Sequence, residues 1–366
     1  MLGDYMKIIV SAGGTGGHIY PALAIIDKFI KKEKDLEILY IGTHNRMEKD
    51  IIPKRNIRYE EIEIYGFSRS KLLLDAKNIY LIMKAKKKCL KIMQEFKPDI
   101  VLGIGGYVTY PVIWAAHKLG IKTFIHEQNS HPGKTNIALQ DKVDLIGVSF
   151  EESIKYFNKA KGEVFYSGNP CGEAAIDAKP LNKETFGFKT SKKLVVVVAG
   201  SLGSATVNKK MEEFLKLVEK EKYEVLYITG KNLYDDFIKG KEFPDNVKVV
   251  PFVDNLASLL KNTDLIVTRA GASTMSEILS LNLPAIFIPS PYVANNHQYY
   301  NALVIKEAGG GDIIEENQLT ANLLINKINN ILTNEEKYNE MKRVLNSMSI
   351  NNSSEIIYKK IKDLIK

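Results

Sequence analysis

Residues 263–301 gather small hydroxyls, a glutamate and several amides in an order suited to holding a phosphate and a sugar. The apolar run Leu265–Val267 predicts a buried strand, Arg269-Ala270-Gly271-Ala272 a tight turn, and Ser273 to Leu281 a helix. That helix opens on Ser273, Thr274 and Ser276, and free N–H groups with small hydroxyls at a helix start can hold a phosphate. Glu277, about one turn further in, is placed to accept hydrogen bonds from a sugar diol. A second buried strand, Ala285–Ile288, ends in a polar loop whose Asn295, His297, Gln298 and Asn301 could read further hydroxyls. A plain strand–helix–strand unit with a well-capped helix fits the same residues.

His18 is the second focus. It follows the loop Gly13-Gly14-Thr15-Gly16-Gly17 at the mouth of a predicted helix, where the positive end of the dipole favours a neutral ring. Such an imidazole could take the proton of an attacking hydroxyl; alternatively it caps the helix or contacts phosphate. His126, Glu127 and Asn129 stand at another strand end and could line the same cleft, although a structural hydrogen bond accounts for His126 equally well. Two further glycine loops, Gly103–Gly106 and Gly200–Gly203, also follow predicted strands and let backbone approach an anion. A dinucleotide site would need Gly-x-Gly-x-x-Gly spacing and an acidic residue ending the next strand, but Leu39-Tyr40-Ile41-Gly42-Thr43-His44 has none. Gly133-Lys134-Thr135 resembles the tail of a P-loop, yet Gln128 stands where the leading glycine belongs. Dehydrogenase and NTPase readings lose ground.

The elements that must position these residues alternate between strand and helix, the mark of parallel α/β sheets. In the first half, strands are predicted at Lys7–Ala12, Glu37–Ile41, Asp99–Leu102 and Thr123–His126, with helices at His18–Lys32 and from about Ser70 to Phe96. The pattern pauses near 162–169, where Gly168-Asn169-Pro170 reads as a turn or linker. Strands at Leu194–Ala199, Val225–Thr229 and Val247–Val250 then lead into the 263–301 unit, and about Thr320–Lys366 is helical. Two Rossmann-like halves facing each other across a cleft is the expected assembly. The expected divisions are 1–166, 167–345 and a C-terminal helix at 346–366 packing back on the N-terminal domain.

Composition agrees. A chain of 366 residues can bury two cores, and 45% apolar with 26% charged residues is ordinary for a globular protein. Cys89 and Cys171 have no metal or redox spacing, which fits a reducing compartment. The N-terminus enters a strand without signal-peptide shape, and the longest uncharged run, Val101–Ala116, is too short to span a bilayer.

Taken together, Gly13-Gly14-Thr15-Gly16-Gly17-His18, Gly105-Gly106-Tyr107, His126-Glu127-Gln128-Asn129, Thr135-Asn136, Gly168-Asn169-Pro170, Gly200-Ser201-x-Gly203, Phe252-Val253-Asp254 and the whole of 269–301 fall in the order of one family. Over nearly its full length the chain resembles the MurG family of bacterial N-acetylglucosaminyltransferases, which convert lipid I to lipid II in peptidoglycan synthesis. The resemblance implies a GT-B fold with an acceptor-binding N-terminal domain and a C-terminal domain for UDP-N-acetylglucosamine. It implies that Glu277 holds the ribose, Phe252 lies against the uracil and the backbone of Val253 reads its edge. Ser201, Ala272, Ser273 and Thr274 would surround the diphosphate, and Gln298 and Asn301 would reach the N-acetylglucosamine hydroxyls. His18 would be the catalytic base, with Thr15, Gly16, Gly17, Gly105, Tyr107, His126 and Asn129 on the acceptor side. One departure stands out: the arginine that usually follows Gly-Asn-Pro by two residues, as a phosphate contact, is Gly172 here.

No Asp-x-Asp occurs in the chain, so a metal-bridged diphosphate is not indicated and no cofactor is expected. Helix N-termini, backbone N–H groups and Ser201 would meet the leaving-group charge, and a single displacement would invert the anomeric centre. The acceptor's polyprenyl tail implies a peripheral position at the cytoplasmic face of the cell membrane, with other cell-wall synthesis and division proteins as further partners. The stretch 69–97 suits an anionic surface. Arg69, Lys71, Lys77, Lys84, Lys86, Lys87, Lys88, Lys91 and Lys97 stand against only Asp75 and Glu95. Interleaved are Leu72, Leu73, Leu74, Ile79, Tyr80, Leu81, Ile82 and Met83, with Trp114 nearby; an ordinary amphipathic helix with a solvated lysine face reads the same way. Nucleic acid is a poorer partner, since stacking aromatics are not interleaved. A UDP-N-acetylglucosamine 2-epimerase would share the C-terminal pocket without the basic face, and an idle sugar-nucleotide-binding partner of the cell-wall machinery would share the pocket without turnover.

Overall fold

The computed structural model describes residues 5–66, 72–189, 191–200 and 203–366. They divide into two compact units, Met1–Cys171 with Asn352–Lys366, and Gly172–Asn351.

The first unit holds strands β1 (Met6–Ala12), β2 (Leu36–Thr43), β3 (Arg58–Ile62), β4 (Ile100–Gly105), β5 (Lys122–Glu127), β6 (Leu145–Val148) and β7 (Glu163–Tyr166). They form one sheet in the order β3-β2-β1-β4-β5-β6-β7, every pair parallel. Its helices are α1 (Gly16–Lys32), α2 (Glu48–Ile51), α3 (Leu72–Phe96), α4 (Thr109–Lys118) and α5 (Lys134–Leu139). Helices on both faces explain why central strands such as β1 and β4 are continuous apolar runs rather than alternating ones. The C-terminal helix Ser353–Ile365 belongs to this unit and packs on α1. Ile357 and Ile361 are fully buried, and the rings of Phe29 and Tyr358 meet edge-on at 5.1 Å.

The chain leaves this unit at the start of α6 (Cys171–Asp177). The second unit holds β8 (Leu194–Val198), β9 (Glu224–Ile228), β10 (Val247–Val250), β11 (Leu265–Thr268), β12 (Ala285–Phe287) and β13 (Gly311–Ile313), all parallel in the order β10-β9-β8-β11-β12-β13. Around them lie α7 (Ala205–Leu217), α8 (Tyr234–Ile238), α9 (Leu256–Leu260), α10 (Ala272–Ser280), α11 (His297–Ala308), α12 (Ala321–Leu332) and α13 (Glu335–Met348).

Both sheets are doubly wound, and the strand order reverses between β1 and β4 in one and between β8 and β11 in the other. Ligands of open α/β sheets bind beyond the carboxyl ends of strands at such a reversal. The glycine loops after β1 and β4, Gly200 and Gly203 after β8, and the Arg269–Ala272 turn sit at these two places.

Candidate functional site

In the first unit the loops after β1 and β4 lie side by side because the strands pair. Gly13 N donates to Gly105 O at 3.3 Å, and Gly106 has φ +85. A Cβ at 106 would stand 2.4 Å from the Gly13 carbonyl oxygen, so conformation and space both demand glycine. Below the first loop is Glu48, fully buried, a residue without a sequence signal. Its Oε1 accepts from Thr43 N at 3.0 Å and Thr43 Oγ1 at 2.6 Å, and its Oε2 from Gly14 N at 3.2 Å. The Gly13 and Gly14 N–H groups are thus both engaged. An anion at this loop would be left with the start of α1, at Gly16 and Gly17, where Thr15 provides no side-chain cap.

His18 is the third residue of α1, and its ring lies over Gly105: a Cβ at 105 would come within 2.5 Å of its Nδ1. Nδ1 is 2.9 Å from Gln128 Oε1, and no described residue bonds Nε2. Gln128 is almost wholly buried; its Nε2 donates to Ile104 O at 2.7 Å and lies 3.0 Å from His126 Nδ1. His126, expected to line a cleft, is instead fully buried, with Nε2 3.0 Å from Gly168 O. Burial pushes its imidazole down to about 4, so the ring is neutral. It forms a wall behind His18. Glu127 is also buried, accepting from Asn129 N, Asn129 Nδ2, Gly133 N and Asn136 Nδ2 at 2.8–3.1 Å. Its carboxylate folds the 127–136 loop and sets the place of the half-buried Asn129. The Tyr107 hydroxyl is buried without a hydrogen-bond partner among the described residues.

In the second unit two helices begin at the strand-order reversal, and they differ. Ser204 caps α7, its Oγ accepting from Val207 N. Gly271, preceding α10, has no side chain to cap with, and no side chain among the described residues caps the positive end of α10. Ala272, Ser273 and Thr274 form that first turn and are half-buried. Ser276 is turned back, its Oγ donating to Ser273 O at 2.7 Å. Glu277 is half-buried, no described side chain donates to its carboxylate, and burial pushes that carboxyl up to about 7. Ser201, expected against the diphosphate, lies outside the described residues.

The turn before α10 is held firmly. Arg269 donates to Glu316 at 2.6 Å, Ser204 Oγ at 3.0 Å and Ile288 O at 2.9 Å. Asn301, expected to reach sugar hydroxyls, is fully buried and donates to Ala270 O at 3.2 Å; it shapes the turn rather than facing open space. Gln298 accepts from Ser290 N at 2.9 Å through Oε1, which leaves its NH2 group without a described partner. Phe252, after β10, is 38% exposed, and the Lys231 ammonium from the turn that follows β9 sits 4.3 Å from its ring centroid. Val253 beside it is half-buried. Lys231 escaped the sequence reading because nothing in the chain pairs it with Phe252. Gly172 has a reason in packing: a Cβ there would lie 2.2 Å from Ser280 Oγ and 2.9 Å from Ser276 O on α10. An arginine has no room.

Of the basic stretch 69–97, Arg69 and Lys71 lie outside the described residues. Ile79, Tyr80 and Met83 are exposed by more than half. Lys77, Lys84 and Lys87 are exposed beside them with no described partner. Lys86 instead lies over Trp114 at 4.3 Å and Tyr110 at 5.0 Å; Lys88 pairs with Glu60 and Lys91 with Glu95. No helix among the described residues is long and apolar enough to cross a membrane.

The chain matches the glycosyltransferase family 28 N-terminal domain over residues 8–148 and the glycosyltransferase family 28 C-terminal domain over 194–357. It is 42% identical to the UDP-N-acetylglucosamine–N-acetylmuramyl-(pentapeptide) pyrophosphoryl-undecaprenol N-acetylglucosamine transferase of Caldanaerobacter subterraneus, across 98% of this chain and 100% of that one. The crystal structure of Acinetobacter baumannii MurG is similar at 25% identity with a TM-score of 0.80, covering 98% of this chain and 99% of that one. A Neisseria meningitidis UDP-GlcNAc 2-epimerase bound to UDP-GlcNAc shares the fold at 15% identity and a TM-score of 0.66, covering 98% and 100%.

Proposed function

The chain belongs to the MurG family within glycosyltransferase family 28, and from that membership we propose that it transfers N-acetylglucosamine from UDP-N-acetylglucosamine to the muramoyl 4-hydroxyl of lipid I. The product is lipid II. The observation that carries the reading is likeness to such a transferase along nearly the whole chain, well above the level at which epimerases share only the fold.

The geometry of each unit supports a division of labour. On the second unit the start of α10, where Gly271 offers no side-chain cap, meets the diphosphate, and Glu277 accepts from the ribose diol. Phe252 offers a ring to the uracil, the backbone of Val253 reads its edge, and the NH2 of Gln298 donates to the sugar. On the first unit His18 presents an Nε2 that no described residue bonds. The acceptor oxygen attacks the anomeric carbon, the bond from that carbon to the diphosphate oxygen breaks, and UDP leaves with the electron pair. The hydroxyl proton passes to His18 Nε2. One displacement inverts the α-linked donor into a β-linked product. The face of α3 built from Ile79, Tyr80, Met83, Lys77, Lys84 and Lys87 rests on an anionic membrane at its cytoplasmic side, which brings the enzyme to its lipid-linked acceptor.

The test is transfer of radiolabelled N-acetylglucosamine from UDP to a short-chain lipid I analogue. A labelled lipid-linked disaccharide is expected. Formation of UDP-N-acetylmannosamine without transfer would instead make the protein an epimerase, and UDP binding without either product would make it an idle partner. With His18→Gln, turnover should fall by roughly 10²–10⁴-fold while donor affinity stays put.

A further inference from the structure

Among the described residues the His18 ring is held through one nitrogen only, and the chemistry of its holder fixes which nitrogen carries the proton. Gln128 can be oriented in one way. Its Nε2 faces two carbonyl oxygens, Ile104 O at 2.7 Å and His126 O at 3.2 Å, which have no proton to give, so that end must be the NH2 group. The opposite end, Oε1, lies 2.9 Å from His18 Nδ1 and can only accept, so Nδ1 must donate. Behind Gln128 the logic repeats. His126 Nδ1, 3.0 Å from the same NH2, accepts; its Nε2 therefore carries the ring proton and donates to Gly168 O at 3.0 Å. Backbone carbonyls at Ile104 and Gly168 anchor the line, and it has a single consistent direction.

We propose that Gln128, braced by His126, is a positioning residue that locks His18 as its Nδ1–H tautomer and leaves Nε2 as a lone pair toward the acceptor hydroxyl. This rests on His18 being the base. With the opposite tautomer, Nε2 would present an N–H to the hydroxyl and could take no proton from it. Gln128 touches neither substrate; it acts through His18. It also explains the glycine at 105, since the ring can reach Gln128 only by lying flat over a residue without Cβ. A hydrogen bond made at one imidazole nitrogen commonly decides the state of the other in this way.

The test is nitrogen-15 NMR of the full-length protein with labelled histidine, where the His18 resonances are identified by their loss in His18→Gln. The wild type should show a protonated, pyrrole-like Nδ1 and an unprotonated, pyridine-like Nε2; the reverse pattern or an even mixture overturns the proposal outright. Gln128→Met keeps the bulk and removes the acceptor, so His18 should shift toward Nε2–H. Its kcat should then fall by roughly 10²-fold with KM for UDP-N-acetylglucosamine unchanged. A Gln128→Met protein that folds, keeps the wild-type tautomer and keeps its kcat also refutes it. Should that variant misfold, the wild-type spectrum alone still decides. The two readings separate cleanly: the Nδ1–H pattern with full turnover in His18→Gln would sink the base assignment and leave the tautomer lock standing.

Discussion

At the scale of single residues, Glu277 carries the sharpest consequence of burial. Its carboxyl is raised from 4.5 to about 7 in the free protein. Ionised, it can accept from both ribose hydroxyls; protonated, it loses much of that capacity. Donor binding should therefore favour the ionised form and expel a proton near and below pH 7. Calorimetry with UDP-N-acetylglucosamine in buffers of different ionisation enthalpy should give close to one proton released at pH 6 and almost none at pH 8.5. Glu277→Gln should abolish the release and weaken binding by about 1.5–3 kcal/mol, the worth of hydrogen bonds to a charged group. The stability effect has the opposite sign. A raised carboxyl pKa means stability present below pH 4.5 and lost as pH rises through 7, so the same variant should melt higher than wild type at pH 8. A pH-independent donor affinity in the wild type would remove Glu277 from the pocket. Glu277 and His18 stand out in the sequence as candidates because each lies in the first turns of a helix that follows a glycine turn. Gln128 and Glu48 were not, because their partners come from other strands: Ile104 for one, Thr43 and Gly14 for the other. Asn301 was read as a sugar contact for the same reason, since an amide that props a distant carbonyl looks the same in one dimension as an amide that meets a ligand.

Among the elements, burial does not by itself decide legibility: β6 is buried throughout, yet no strand is expected at Leu145–Val148, whereas the half-buried edge strand β10 is expected over its observed span Val247–Val250. The central strands β1, β4, β8 and β11 announce themselves as apolar runs flanked by glycine turns. The edge strands β3, β7 and β13 do not: Arg-Tyr-Glu-Glu-Ile, Glu-Val-Phe-Tyr and Gly-Asp-Ile are short and each includes charge. The expected pause at 162–169 is where β7 lies, a strand of 4 residues that is too short to read as one. Helix α3 was legible as basic and apolar, but not which lysines are available. Lys86 lies over Trp114 and Lys88 is paired with Glu60, which leaves Lys77, Lys84 and Lys87 beside Ile79, Tyr80 and Met83. At about 1 kcal/mol per cation near an anionic surface, neutralising those three with glutamine should weaken sedimentation with phosphatidylglycerol vesicles by roughly 10²-fold. Lys86→Gln with Lys88→Gln should cost much less, being already engaged within the protein. Equal losses from the two sets would mean that the helix attracts the surface only through net charge, and no loss from either would return α3 to an ordinary solvated helix.

For the molecule as a whole, chain order and unit membership part company at the C-terminus. The helix Ser353–Ile365 follows the second unit in sequence but completes the core of the first. Full burial of Ile357 and Ile361 contributes about 1.5–3 kcal/mol each. The polar contacts around them, Glu355 with Lys28 and Lys32 and Glu33 with Tyr358 and Lys362, lie nearer the surface and add less. Removing residues 352–366 should therefore cost the first unit about 3–6 kcal/mol, a large part of the stability of an ordinary domain, and leave the second unit nearly untouched. Hydrogen exchange on the truncated protein should show protection lost along α1 and β1 and kept along β8 and β11. Binding of UDP should survive, because the proposed donor residues all lie within 172–351, whereas transfer should fail with the loss of the scaffold that holds His18. Equal loss of protection in both units would show that they unfold as one body, and the C-terminal helix would then stabilise the whole chain instead of the half it packs on.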